Sequence, residues 1–397
     1  MFIAKTVVAQ RCTNEDDLAK ITGKFVDHNW TPAAGYISDY STAEKTMALK
    51  TQANLEAICK KNFFGDGFVG KGSFGFKQGD YFNTLFLGTY NYDIGFYQLE
   101  CINGQLKTAH EFGTNLTVTA NPVIHPNLEV PINNQQEKFT VKGTRKDRPL
   151  PIPLFRYIVF TDKSEFEKTN TGTGYIDGSK QYHDAYDKNP DITRSWYITQ
   201  QGTTLFTAVT RKEYLQSLLQ FYEIEKDLLV QRQEQLLKID RETIKLYEKN
   251  KDGKDKKDYQ YFSDNIAAYE KDKAKAISSY TTKKNTVTNL LLSKPESWLQ
   301  EAAVLNPEVM KNNYRCDDNA AYTKTGAHTF NDFYDNQKGL MIYKWNPEIF
   351  KQQPACSPVF FKVSVRYKEG IDISEAIKEY YTKNFDFAAV KKLLYKK

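Results

Sequence analysis

The chain has 397 residues, 40% hydrophobic, 26% charged and 14% aromatic, a composition that excludes collagen-like, low-complexity and multi-span membrane proteins. Lys and Arg total 55 against 49 Asp and Glu, a formal charge of +6 spread along the chain rather than gathered in an arm, which argues against nucleic acid as a partner. The 26 Tyr, 25 Phe and 4 Trp favour pleated, half-buried surfaces and predict a large β component.

The opening stretch MFIAKTVVAQ reads as the remnant of an export signal. Its short apolar run ends with Val7 and Ala9 where small-residue cleavage prefers them, leaving Gln10 as the mature N-terminus. An ordinary first strand is the other reading. Export implies a periplasmic or secreted location. No later segment approaches the ~18 uninterrupted apolar residues of a membrane-spanning helix. The next stretch predicts a short helix capped by Asn14 and running to about His28. A longer helix opens at Ser41 or Thr42, with Met47, Leu49, Leu55 and Ile58 as its apolar positions. From Phe63 the pattern turns to period two with glycines, an antiparallel meander in which Asn103-Gly104 is a hairpin turn.

A second β-rich stretch starts at Phe139, has its clearest strand over 155–161 and resumes at SWYITQQGTTLFTAVT, where Gln201-Gly202 joins two strands. Between them, 162–194 reads as one long polar connection, either functional or poorly ordered. From 211 to 292 the chain is helical. Leu215, Tyr222, Leu229 and Leu236 recur every seven residues, with Leu218, Ile239 and Leu246 interleaved, and Ile266, Tyr269, Lys273, Ile277, Tyr280, Val287 and Leu291 carry a returning seam. The break lies at Asp252-Gly253. A short helix (ESWLQEAAVL), two strands (GLMIYKW, SPVFFKVSVRY), a helix opened by an Asp372 to Glu375 capping pattern and a basic amphipathic C-terminal helix complete the chain.

The fold class expected is therefore α+β: antiparallel β-sheet regions with flanking helices and a long antiparallel helical hairpin. The segments are the signal remnant at 1–10, helices then meander over 11–125, and a second β region over 126–209 containing the loop 162–194. The hairpin follows over 210–292, and strands and helices over 293–397 complete the α+β body.

Five cysteines, Cys12, Cys59, Cys101, Cys316 and Cys356, show no C-x-x-C spacing, so zinc ribbons and thioredoxin-type sites are not indicated. Their clustering suggests Cys59 with Cys101 and Cys316 with Cys356, leaving Cys12 odd; buried free thiols are the alternative. The run from Gly65 to Ser73 satisfies G-x-G-x-x-G and nearly a phosphate loop, but it leads into a strand pattern and has Gly72 where a magnesium-binding hydroxyl belongs. It is read as strand glycines that bind no nucleotide. Five histidines give no metal spacing, His110-Glu111 lacks the second histidine of H-E-x-x-H, and no G-x-S-x-G is present. No cofactor is expected, and whether the chain is an enzyme stays open.

The place singled out for a ligand is the loop 162–194. Tyr175, Tyr182 and Tyr186 offer aromatic faces for sugar stacking, and Asp177 and Asp184 offer hydrogen-bond acceptors. The alternative is a clamp whose tyrosines pack on the sheet. The lysine-rich tip KNKDGKDKKD and the terminal KKLLYKK read either as contacts to an acidic partner or membrane surface, or as solvated ends.

VTRKEYL (209–215) and NPEIFKQQPACSPVFFKV (346–363) resemble segments of uncharacterised secreted Bacteroidetes proteins of unassigned activity. The resemblance implies an exported α+β protein and transfers no site residues. The functional expectation is an exported binding or scaffold protein of the bacterial envelope, its partner an envelope protein or a glycan. The alternative is an envelope hydrolase acting on glycans or peptides through scattered acidic residues.

Overall fold

The computed structural model of the chain describes residues 12–13, 18–27, 40–82, 85–110, 113–124, 140–141, 148–149, 154, 157–160, 162–183, 188–307, 321–322, 328–330, 332–335, 338–351 and 353–395. The expected signal remnant, Cys316, Asp184 and Tyr186 lie outside these residues. The fold is α+β, as the patterning implies, and the chain divides into two compact units: 1–124 with 162–206 and 346–397, and 125–161 with 207–345. The expected segment 126–209 is thus shared between them, and the C-terminal segment 293–397 is likewise divided.

The first unit is built on an eight-stranded sheet. Its strands are β1 (Lys24–Asp27), β2 (Phe68–Phe82), β3 (Leu85–Ile102), β4 (Gln105–Thr108) and β5 (Thr114–Ala120). Three more belong to this sheet and keep their chain-order numbers: β7 (Ile176–Asp177), β8 (Asp191–Ile198) and β12 (Phe361–Lys368). The order is β1-β2-β3-β5-β12-β8-β7, with β4 paired to β3. β1 runs parallel to β2 and the other pairs are antiparallel.

The helix expected between Asn14 and His28 gives way to a single 3-10 turn at Leu18–Lys20 and then β1. Phe25, a residue suited to a pleated surface, packs edge-on against Phe63. Asn103 and Gly104 both take positive φ, 54° and 72°, as a two-residue hairpin turn between β3 and β4 requires.

One sheet face is apolar. Tyr90, Tyr92, Ile94 and Phe96 of β3, Leu116 and Val118 of β5, and Phe361, Val363 and Val365 of β12 alternate inward. They are covered by helices α1 (Thr42–Lys61), α6 (Asp372–Asn384) and α7 (Phe387–Lys391). The reciprocal box between Ser41 and Glu44 sets the start of α1. The basic C-terminal helix is only the five residues of α7, which bury Val390.

The second unit holds a four-stranded sheet of β6 (Ile158–Val159), β9 (Phe206–Ala208), β10 (Val304–Leu305) and β11 (Leu340–Trp345), ordered β9-β11-β10 with β6 also on β11. β8 and β9 therefore do not form the hairpin that Gln201-Gly202 suggests: the turn hands the chain from one sheet to the other. The stretch ESWLQEAAVL shortens to α5 (Glu296–Leu299), after which Val304 and Leu305 enter the sheet. Two further two-residue ladders pair 140–141 with 148–149 and 321–322 with 328–329.

The helical hairpin is present. α3 (Arg211–Tyr247) starts in a capping box between Thr210 and Glu213, and α4 (Lys256–Ser293) returns. At 1.5 Å per residue each is ~55 Å long. Near the small sheet, Tyr214, Leu215, Leu218, Phe221, Tyr222 and Val287 are fully packed.

Farther out the seven-residue seam fails. Leu229 is 39% exposed, Ile239 57%, Leu246 76% and Ile277 44%, whereas Leu237 and Asp240 are buried. For Ile239 and Leu246 the cause is geometric: an ordinary α-helix repeats every 3.6 residues, so a strict heptad drifts ~20° per repeat, ~60° between Leu218 and Ile239 and ~80° between Leu218 and Leu246, unless the helices supercoil. Buried positions 215, 218, 222, 225, 237 and 240 follow the 3.6 period. The ion pairs Glu225–Lys283 and Glu234–Lys273 bring Leu229 level with 276–279, where Ala276, Ser278 and Ser279 are small.

Candidate functional site

The loop 162–194 is largely regular. Asp162 caps helix α2 (Lys163–Thr171), β7 follows, and β8 begins at Asp191. Gln181 and Asp191 exchange both backbone hydrogen bonds at 2.9 Å, which ties the returning chain to the start of β8.

Two of the expected ligand residues are occupied by the protein itself. The buried Arg194 guanidinium donates to both Asp177 oxygens, at 2.7 and 2.8 Å, from the position directly across the strand pair. It also lies 3.8 Å from the centre of the Tyr175 ring and donates to Thr382 Oγ1 at 3.3 Å. Trp196 approaches Tyr175 edge-on at 6.0 Å. Arg194 thus joins the edge strand to α6, and Tyr175 and Asp177 serve that clamp. Tyr182 is 56% exposed and shares no such contact with them.

A richer constellation lies on the opposite face of the large sheet. Strand register sets Ser73, Asp93, Thr117, Ser364 and Ser195 in one straight row across β2, β3, β5, β12 and β8. Neighbouring rows add Asn91, Thr119, Lys362 and Tyr197 on one side, and Lys71, Asn115, Arg366 and Thr193 on the other. Side chains alternate across a strand, so every second residue of five strands contributes to this polar face. Most of its members are half-buried, while Lys77 is exposed.

The Asp93 carboxyl accepts from Asn91 Nδ2 and is hydrogen-bonded by Thr117. Burial nevertheless raises its pKa above the usual carboxylate value, against the opposing influences of Thr117 and Lys77. Gly75 lies beside Asn91, whose Oδ1 sits 2.5 Å from the point a Cβ there would occupy. The Asn91 side chain therefore fills the space that a side chain at 75 would take. Burial lowers the Lys362 pKa, and the nearby Lys77 charge adds to the effect. The Lys362 ammonium lies 5.8 Å from the Tyr197 ring centre, and that of Lys71 lies 3.9 Å from the Tyr97 ring centre. Ser195 and Ser364 share a 3.2 Å hydroxyl contact.

At the far corner, Asp191 is 3% exposed. Its Oδ2 is 2.9 Å from His183 Nε2 and 3.8 Å from Arg366 Nε, and its Oδ1 has no hydrogen-bond partner among the described residues. Asp93 and Asp191 are three strand spacings and about four residues apart, ~20 Å. That is well beyond the ~5 to 10 Å of a paired-carboxylate glycosidase. No group of three or more His, Cys, Asp and Glu able to hold a metal occurs among the described residues.

The disulfide also differs from expectation. Cys101 pairs with Cys12 rather than with Cys59, and Cys59 and Cys356 are both fully buried. Cys59 faces the core from α1 while Cys101 sits near the β3-β4 turn, so separation in sequence misled where register decides. Burial raises the Cys59 pKa, and the nearby carboxylates of Asp93 and Glu56 add to it, so the thiol is a packing group.

No known protein family, no characterised protein and no solved structure matches this chain.

Proposed function

We propose that this chain is an exported binding protein of the bacterial envelope, with the polar face of the eight-stranded sheet as its ligand surface. The observation that carries the reading is the row Ser73, Asp93, Thr117, Ser364 and Ser195. It is a continuous line of hydroxyls around one carboxyl, on a face the fold leaves half-open. Asp93 and Lys362 sit where burial disfavours their charged forms, which costs the fold stability. Polar groups retained at such a cost are typical of functional surfaces. Export is supported by the Cys12–Cys101 bridge, since disulfides persist in oxidising compartments.

Hydrolysis by paired carboxylates is disfavoured by the ~20 Å between Asp93 and Asp191. Binding therefore suits the face better than bond cleavage.

The test has two arms. Glycans and envelope extracts are screened by calorimetry against the wild type and against Thr117→Val combined with Ser364→Ala. A ligand should bind the wild type and be lost, or weakened about ten-fold, in a variant of unchanged melting temperature. Thiol labelling of protein taken directly from its native host should find Cys12 and Cys101 protected until reductant is added. Binding that ignores the double variant removes the assigned surface, and freely labelled Cys12 and Cys101 remove export.

A further inference from the structure

We infer that the ligand of the polar sheet face is an acidic polysaccharide. The inference rests on the binding role proposed above and adds its chemistry.

Five cationic side chains rise from this one face, Lys71 and Lys77 of β2 and Lys362, Arg366 and Lys368 of β12, against three carboxylates, Asp93, Asp191 and Glu165 of α2, which acts on Lys362 and Tyr197. The cations outnumber the carboxylates by two. Burial disfavours the charged forms of both Asp93 and Lys362, and Asp191, 2.9 Å from His183, lies 3.8 Å from Arg366, which leaves Lys71, Lys77 and Lys368 as the least offset cations. The face is therefore net positive, with uncharged hydroxyls on either side of Asp93 through its middle.

The positive charges are spread out rather than gathered. Lys362 and Arg366 lie on the same side of one strand about four residues apart, ~13 Å, and Lys71 is three strand spacings from Arg366 along its row, ~14 Å. A small anion would call for several donors converging on one point. Cations about this far apart, with hydroxyls, Asn115 and Thr117 between them, instead match an extended chain that carries anionic groups at intervals and hydroxyls throughout. Serine, threonine and asparagine can donate to and accept from sugar hydroxyls, while Lys and Arg pair with carboxylate or sulfate.

A single-stranded nucleic acid is the other extended polyanion to weigh, and the face suits it poorly. Base stacking needs open aromatic rings. The two tyrosines of the face, Tyr97 and Tyr197, each have a lysine ammonium over the ring.

The test uses the full chain with its disulfide intact. The probes are an oligogalacturonate, its fully methyl-esterified form, in which every charge is removed and the hydroxyls are kept, and an oligothymidylate. The acidic oligomer is expected to bind, the ester about ten-fold or more weakly. The acidic interaction should also fade as salt approaches 1 M, where the Debye length is about 3 Å. Lys362→Gln and Arg366→Gln should each weaken it, while Lys254→Gln at the hairpin tip should not. If Lys362→Gln does not fold, Lys71→Gln and the exposed Lys77→Gln carry the test.

Equal binding of acid and ester, both lost in the Thr117→Val and Ser364→Ala double variant, overturns the acidic ligand and leaves the binding surface standing. Oligothymidylate binding tighter than the uronate, with the same sensitivity to Arg366→Gln, overturns it in favour of nucleic acid. Binding of none of the probes, or binding indifferent to every variant of the face, overturns the acidic ligand; if the extract screen also yields no ligand sensitive to the hydroxyl variants, the binding role falls with it.

Discussion

Lys283 of α4 donates to Glu225 of α3 at 2.8 Å, where their side chains are only 4% and 11% exposed. The ammonium also lies 5.1 Å from the centre of the Tyr222 ring. At an effective dielectric of about 20, two charges at that distance attract by ~6 kcal/mol. Withdrawing both from water costs several kcal/mol per ion, so the pair as a whole adds little net stability. Removing one partner is different, because the survivor stays buried without this 2.8 Å contact. Glu225→Gln or Lys283→Met alone should cost ~3 to 5 kcal/mol, whereas Glu225→Leu with Lys283→Met should lie within ~1 kcal/mol of the wild type or above it. Urea unfolding followed by far-UV circular dichroism, with hydrogen exchange along 211–293 to locate the loss, measures the cycle. Single variants each costing below ~1 kcal/mol would refute the reasoning, as would a double variant no better than the worse single. The pair's expected role is then register: it fixes which turn of α4 meets which turn of α3.

Leu237→Ala, at a buried site, should cost ~2 to 5 kcal/mol, and Leu229→Ala, at a 39% exposed one, only ~0.5 to 1; thermal unfolding that reverses this order would restore the seven-residue seam. Arg194→Lys loses the two-pronged bond to Asp177 and the stack on Tyr175, and should lower stability by ~1 to 3 kcal/mol while speeding hydrogen exchange over 175–183. The Glu223 carboxyl is held down to about 2 by bonds from Lys226 first and Tyr280 next. A depressed carboxyl stabilises fully above its unfolded value of 4.5, and that stability is lost as pH falls from there towards 2. With the side chain 46% exposed, wild type and Glu223→Gln should differ by only ~0.5 to 1 kcal/mol at neutral pH and converge at the acid end of a stability titration.

The elements that were legible in sequence are those set by local rules. The helix start at Ser41, the Asn103-Gly104 turn and the break near Gly253 each depend on a few consecutive residues. The polar alternation of Lys71, Ser73, Gly75 and Lys77, and again of Lys362, Ser364, Arg366 and Lys368, is equally plain in the sequence. What one strand cannot disclose is its neighbours. That Thr117 lies beside Ser364, and Ser364 beside Ser195, follows from pairings across hundreds of residues. The candidate surface was therefore present in the sequence only as unassembled halves. Tyr175 and Asp177 drew attention for sound chemical reasons, but Arg194, their partner across the strand pair, reads in sequence as an ordinary strand residue.

Strand β12 has a consequence for how the protein is made. It lies in the middle of the large sheet, between β5 and β8, yet it follows every other strand of that sheet in the sequence among the described residues. Until residues 361–368 are synthesised, β5 and β8 have no common neighbour, and the core face lacks Phe361, Val363 and Val365. The large sheet therefore cannot close before that strand is made, and the facing edges of β5 and β8 stay unsatisfied until then. A chain cut short before residue 361 would leave two half-sheets with sticky edges.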